Sequence, residues 1–509
     1  MLYLHRTTPA SYRSTVALIF LICTTFACKS QQNITRISNG LIKGVQEEGS
    51  LVFKGIPYAS VQTGAQRFYP SGPVNDWKDT LSCENFGNVA AQYDHTAKTA
   101  RGSEDCLSLN VYTPDVNTKA KRPVLVWIHG GGMTAGTGSN ENGHAFSDRD
   151  SIVTVTINYR LGVFGFLYLG DQDPNLSNSG NNGLSDCITA LKWIRKNISA
   201  FGGDPSRVTV MGQSAGAKLV SALLATPEAK GYFNQLIIES GGVQCIRNVE
   251  TATALRKRFL DSLHVTRPTA VKDLSTARLI EAQQKFLGGA QGTNYFGPVS
   301  DHKSMFTEDP YQFIKNNPDR TIRVLIGSNT AESRLFMRMD PRLNHPDLKA
   351  LTDWFGTNGQ HVYDAYQKEL IESDTLSAAT KILSQYMYIM HSYRLADVLS
   401  KNGNPVWVYS FNYNRENKGS DHGQEMPYVW FKGSNPELNE TELDIARLVH
   451  QKWVNFIKGK KPGHAGKYDW SWYQTRARSI MVFDQVSRPE ILEKVYNDTQ
   501  FPTSGIFVN

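Results

Sequence analysis

The amino-acid sequence predicts an α/β fold with a mostly parallel central sheet flanked by helices. Three observations predict it. Short runs rich in Val and Ile lack polar alternation and so read as strands buried on both faces. Amphipathic or small-residue helical stretches fall between several of them. Two strands also run straight into glycine-rich turns. The strands are read at Val124 to Ile128, Ile152 to Ile157, Val208 to Met211, Leu236 to Ile238, Ile322 to Ile326 and Val406 to Phe411. The helices are read at Asp186 to Asn197, with apolar Ile188, Leu191 and Ile194, and at Ala215 to Leu224. In such sheets ligands bind beyond the carboxyl ends of the strands, which is where the chemistry is sought.

The chain has 509 residues, long enough for two or three domains, yet no Pro/Ser-rich linker, charge block or repeat divides it. One domain over 34–509 is expected. A net charge of +7 is modest at this length and no run of Lys and Arg is interleaved with aromatics, so nucleic acid is excluded as a partner. The small basic cluster Lys458, Lys460 and Lys461 reads as a solvated helix end. At the amino terminus His5, Arg6 and Arg13 precede an apolar run, Val16 to Ile22, and small residues around Ala27. This is a signal peptide over 1–27, implying a secreted or periplasmic protein; a lipid-anchored lipoprotein at Cys28 is the alternative. Cys83, Cys106, Cys187 and Cys245 remain in the body, an even number that suits an oxidising compartment. Bridging Cys83 to Cys106 would close a loop of about 24 residues and remove unfolded-state entropy on the order of 3 kcal/mol, which makes it the favoured pairing.

Directly after Val208 to Met211 comes Gly212-Gln213-Ser214-Ala215-Gly216, a G-x-S-x-G segment leading into a helical pattern. A nucleophilic serine needs this context. Its hydroxyl must stand exposed on a strained turn, and glycines let neighbouring backbone approach closely. The helix amino terminus adds positive partial charge. The five-residue pattern is common by chance, so its partners decide its meaning.

Upstream, Val124 to Ile128 ends at His129-Gly130-Gly131-Gly132. Attack of a serine on an ester carbonyl makes an oxyanion, and backbone N–H groups fixed in advance stabilise it. The donors are assigned to Gly131, Gly132 and Ala215. The loop has neither G-x-G-x-x-G nor a Lys-Ser/Thr end, which argues against a nucleotide site. His129 is read as ordering the glycines.

The expected chain order is nucleophile, acid, histidine. Glu332 follows the strand Ile322 to Ile326, and His422 follows Val406 to Phe411. Both should reach the same sheet edge as Ser214, His422 taking the serine proton and Glu332 orienting the ring. Asp421 and Glu425 are local rivals to Glu332.

At this point the sequence resembles the type-B carboxylesterase and cholinesterase family of α/β-hydrolases, from about Gly40 to Trp472. The motifs are Phe53-Lys54-Gly55-Ile56-Pro57-Tyr58, Glu104-Asp105-Cys106-Leu107, His129 to Gly132, Asn158-Tyr159-Arg160-Leu161-Gly162, Phe201-Gly202-Gly203-Asp204-Pro205, the serine turn, and His422-Gly423 with Glu425. The resemblance implies the α/β-hydrolase fold with helical insertions over the active site, the Ser214, Glu332 and His422 triad, and the Gly131, Gly132 and Ala215 oxyanion hole. It implies a disulfide joining Cys83 to Cys106, and Ser240 supporting the acid and histidine from behind. Ion pairs Arg67 with Glu104 and Arg160 with Asp186 are implied as scaffold. Serine esterase activity on small-molecule esters, without metal or cofactor or an obligatory protein partner, is the activity it implies.

There are departures. Gln213 stands where most relatives carry Glu. His95-Thr96-Ala97 occupies the stretch where cholinesterases hold a quaternary ammonium with tryptophan, so choline ester specificity is not expected. Cys187 replaces the usual Gln, and Cys245 does not sit where the family's next disulfide begins; the two read as buried free thiols or a private bridge. The segments Arg247 to Ala290 and Arg334 to Gln360 are read either as pocket walls or as surface helices. The rival functions are a catalytically silent binding or adhesion protein on this scaffold, which typically lacks a triad member, and a thioesterase, amidase or specialised natural-product or toxin esterase.

Overall fold

In a computed structural model, residues 33–61, 63–287, 295–303 and 305–492 are described. The leader read at 1–27, Cys28, and the end of the chain from 493 lie outside the described residues.

Eleven strands form the central sheet: β1 (Val45–Glu47), β2 (Ser50–Pro57), β3 (Ser108–Thr113), β4 (Arg122–Ile128), β5 (Val153–Ile157), β6 (Gly203–Gln213), β7 (Gln235–Glu239), β8 (Arg323–Asn329), β9 (Val406–Phe411), β10 (Ser479–Phe483) and β11 (Arg488–Ile491). Their order is β11-β10-β9-β8-β7-β6-β4-β5-β3-β2-β1. From β5 through β4, β6, β7, β8 and β9 to β10 every pairing is parallel. The sheet turns antiparallel only towards its two edges, at β5-β3, β3-β2, β2-β1 and β10-β11. All six strands expected from the apolar runs lie in the parallel centre.

Why these runs pair as buried strands is visible in their two faces. Side chains alternate across a strand, and Val124, Val126, Val208, Val210, Leu236, Ile238, Val324, Ile326, Val406 and Val408 all enter one apolar core. The intervening Leu125, Trp127, Met211, Ile237, Leu325, Trp407 and Tyr409 enter the other. Against the first core pack helices α1 (Asn182–Asn197) and α2 (Ala215–Leu223). Helix α3 (Met390–Asn402) contributes Leu395, Ala396 and Leu399 to it as well. Against the second packs α4 (Glu440–Ile457), started by a capping box in which Asn439 and Glu442 exchange hydrogen bonds. A third, smaller core joins Phe336, Trp354, Met387 and Tyr388 in the helical insertion between β8 and β9. Arg247 to Ala290, where it is described, folds mainly into helices over Val249–Ser262 and Thr276–Leu287.

Both implied ion pairs are present. Arg160 is locked to Asp186 through Nε–Oδ2 and Nη2–Oδ1, each 2.8 Å, with Asp186 fully buried. Arg67 meets Glu104 in the same two-pronged way at 2.8 and 2.6 Å. The cysteines require a correction: Cys83 and Cys106 stand as free, buried thiols instead of the expected bridge, as do Cys187 and Cys245. Burial pushes the Cys83 thiol up to about 12 and the Cys106 thiol upward too.

Removing one member of a buried ion pair leaves the other uncompensated, so Asp186→Ala is expected to lower stability by about 3–5 kcal/mol in urea unfolding. The double change Arg160→Met, Asp186→Leu recovers most of it. A single-variant loss below about 1 kcal/mol would show that the pair is solvent-compensated.

Candidate active site

Strand β6 ends at Gln213 and α2 begins at Ala215, leaving Ser214 alone in the turn at φ 57°, ψ −121°. A non-glycine residue here carries strain of about 1–3 kcal/mol, a burden that structures retain at functional sites. The turn is pinned from both sides. Ser214 donates its N–H to the Glu239 carbonyl at 2.9 Å and its carbonyl accepts from Lys218 at 2.9 Å. The side chain is 8% exposed.

Beyond β4, Gly131 and Gly132 adopt φ of 103° and 62°, a conformation open to glycine, and a Cβ on Gly131 would lie 2.2 Å from the Ala135 carbonyl oxygen. Among the described residues none of the Gly131, Gly132 and Ala215 amides donates to another group. These are the three assigned to the oxyanion. His129 is a structural residue: its ring stacks on Tyr159 at 4.6 Å, its Nδ1 donates to the Gly130 carbonyl at 2.8 Å, and burial brings it down to about 4, so it stays neutral.

Glu332 and His422 meet. His422 Nδ1 hydrogen-bonds Glu332 Oε2, and the opposite carboxylate oxygen accepts from Ser240 Oγ at 2.5 Å and the Asn329 amide at 2.7 Å. Glu332 is thus fully buried and held by three donors. Ser240 reaches the acid and not the imidazole. Of the rivals, Asp421 faces Arg334 and Arg338 at 3.4 and 2.5 Å. Glu425 is buried, bonded to Asn329, and pushed up to about 7 by desolvation and by the Glu332 charge. His422 Nε2, the ring atom turned away from Glu332, lies 3.4 Å from the Gln213 side-chain nitrogen.

Sequence reasoning missed Tyr388. It sits in a π-helical turn, Gln385–Ile389, and packs on His422 with ring centres 4.4 Å apart. Phe336 covers the imidazole at 5.5 Å. No motif marks either residue. Sequence reasoning also passed over Lys218, whose signal is a lone charge in an otherwise small and apolar helix. It is buried, and burial above all brings it down to about 8. Elsewhere, Glu48, His144 and Asp148 bring ligand atoms within 4.8 Å of one another, but Lys432 pairs with Glu48, and Asp148 hydrogen-bonds Ser50 and His144.

A serine at a strained strand-to-helix turn, with a buried acid–histidine pair in the loops after two later strands of one parallel sheet, defines a serine hydrolase on the α/β-hydrolase fold. The comparisons make it specific: the carboxylesterase family model matches residues 31–500, and the chain belongs to that family of carboxylic ester hydrolases. The chain is 31% identical to the para-nitrobenzyl esterase of Bacillus subtilis, over 92% of this chain and 98% of that one. It is 29% identical to the fumonisin B1 esterase of Sphingopyxis macrogoltabida, over 90% and 87%. A Geobacillus stearothermophilus carboxylesterase superposes with a TM-score of 0.82 at 31% identity, covering 91% of this chain and 98% of its own.

The raised Glu425 yields a pH prediction. Its folded pKa of about 7 lies above its ordinary 4.5, so the stability linked to its proton is full below about 4.5 and lost as pH rises through 7. Glu425→Gln keeps the acceptor for Asn329 without the charge. It is expected to match wild type at pH 4.5 and to exceed it by about 1–3 kcal/mol at pH 8 in urea unfolding. A variant less stable at pH 8 would show that the ionised form is favoured.

Proposed function

We propose that Ser214, His422 and Glu332 hydrolyse small-molecule carboxylic esters through an acyl-enzyme. The observation that supports this most directly is the His422–Glu332 contact beside the Ser214 turn. In this mechanism His422 Nε2 takes the Ser214 proton as Oγ attacks the carbonyl carbon, and Glu332 stabilises the imidazolium that forms. The oxyanion is held by the Gly131, Gly132 and Ala215 amides, the last at the positive end of α2. His422 then protonates the departing alcohol. Water, activated by the same imidazole, attacks the acyl-enzyme and releases the acid. Gln213 leaves the site without the negative charge that most relatives place there. The presence of all three triad members separates this reading from a silent binding protein.

Export belongs to the same reading. Residues 1–27 act as a cleaved leader, leaving the enzyme secreted or periplasmic, with acylation of Cys28 as the membrane-anchored alternative.

Ser214→Ala is expected to cut kcat on 4-nitrophenyl esters by about 10⁴-fold or more, with folding intact by circular dichroism. A fluorophosphonate should add one adduct that maps to Ser214. Full activity in the variant, or an adduct elsewhere, would refute the mechanism. For the leader, intact mass of the mature protein should show a free amino terminus after Ala27; an added acyl mass on Cys28 establishes the anchored form.

A further inference from the structure

The side chain of Gln213, the last residue of β6, reaches the base of the triad. Its amide nitrogen lies 3.4 Å from His422 Nε2, a long hydrogen bond. The amide is wedged in place between two glycines. On one side a Cβ on Gly130, in the glycine loop, would lie 3.3 Å from Gln213 Oε1; on the other a Cβ on Gly423, next to the histidine, would lie 3.6 Å from the amide nitrogen. Gln213 is 9% exposed. The ring it meets is fixed as well. Glu332 bonds Nδ1, and Tyr388 and Phe336 pack on the imidazole with ring centres 4.4 and 5.5 Å away. Held in this way, the imidazole turns Nε2 towards the amide.

Chemistry explains why the nitrogen of the amide, and not its oxygen, faces the ring. Glu332 takes the proton on Nδ1, so the neutral imidazole presents a lone pair at Nε2. An amide N–H donates to that lone pair, whereas a carbonyl oxygen would repel it. When Nε2 gains a proton, donor faces donor. A hydrogen bond made to the neutral form therefore disfavours the charged one. The charged groups around His422 are Glu332 at Nδ1, Glu425 three residues along and bonded to Asn329, and Lys218, whose ammonium stands 4.9 Å from the centre of the Tyr388 ring. Asp421, next in the chain, is paired with Arg334 and Arg338. Both glutamates favour an imidazolium when ionised, and at Nε2 the uncharged Gln213 amide works against them. We propose that Gln213 is a positioning residue for the base: its amide keeps the Nε2 lone pair free in the resting enzyme and so sets the lowest pH at which hydrolysis runs. This rests on the ester-hydrolase reading above and adds to it a residue outside the triad.

The pH dependence of kcat/KM on a 4-nitrophenyl ester tests it, because its acid limb reports the free enzyme. Gln213→Glu is isosteric and replaces the donor by a negative charge; it is expected to move the acid limb up by about one pH unit. Gln213→Met removes the donor without adding charge, and the limb should rise by about 0.3 to 0.5 of a unit. The rate of fluorophosphonate labelling of Ser214, which needs the same base but no turnover, should show both shifts. Both should also persist in a Glu425→Gln background, since Glu425 is itself pushed up to about 7. A methionine limb that stays in place or falls overturns the proposal even if the glutamate limb rises, for that would show only that a new charge is near. A glutamate limb that does not rise overturns it too. Shifts that vanish in the Glu425→Gln background put the titration on Glu425 and have the same result. A wild type that neither turns over nor labels between about pH 5 and 9 refutes the ester-hydrolase reading, and this inference with it; an active wild type with unmoved limbs in the variants refutes this inference alone.

Discussion

The site depends on three backbone segments being allowed to touch. A Cβ on Gly216 would lie 2.0 Å from the Ile128 carbonyl oxygen, one on Gly212 2.5 Å from the Gly216 carbonyl carbon, and one on Gly130 2.9 Å from the Gln213 carbonyl oxygen. At those distances no side chain fits, so the end of β4, the end of β6 and the start of α2 close on one another only because glycine occupies each contact. That closeness sets the glycine loop beside Ser214. It also leaves Ser214 the residue in the turn that must bear a positive φ, held there by its hydrogen bonds to Glu239 and Lys218.

Around this turn the charges are divided. Glu239, Glu332 and Glu425 are buried beneath the strand ends, and burial with mutual repulsion raises Glu239 and Glu425. Lys218, on the serine helix, sets its ammonium 4.9 Å from the Tyr388 ring, and Arg247 is buried in the segment after β7. Glu332 differs from its neighbours in having a hydrogen bond for each oxygen, including one to an imidazole that gains charge during reaction. A glutamate at position 213 would add another carboxylate to a crowded acidic layer; the neutral amide found there avoids this.

The parallel centre of the sheet was legible because its strands are apolar on both faces, and observed bounds differ from the apolar runs mainly where polar ends continue the ladder, as at Gly203 to Arg207. The edges were not legible. β1 has three residues and β11, Arg488–Ile491, is exposed throughout, so neither shows a hydrophobic pattern. The triad stood out since each member follows a readable strand in the expected order. Tyr388 did not, because its role depends on a π-turn that redirects one residue of an ordinary helical stretch. Arg247 heads a segment read either as pocket wall or as surface helices, and only tertiary packing shows that it is buried. The family disulfide pattern likewise misled, as Cys83 and Cys106 stand as free buried thiols.

Lys218 shares a helix with Ser214, and Arg247 continues the segment that supplies Ser240. The chain segments that hold the reacting groups are therefore the ones that carry the buried cations. In many enzymes pocket walls lie on loops that can be exchanged without disturbing the chemistry. Here such an exchange would cut through α2 or the turn after β7. Changes at these two buried cations are thus restricted to single side-chain replacements within a fixed backbone, and one at Lys218 must be compatible with a serine one helical turn away.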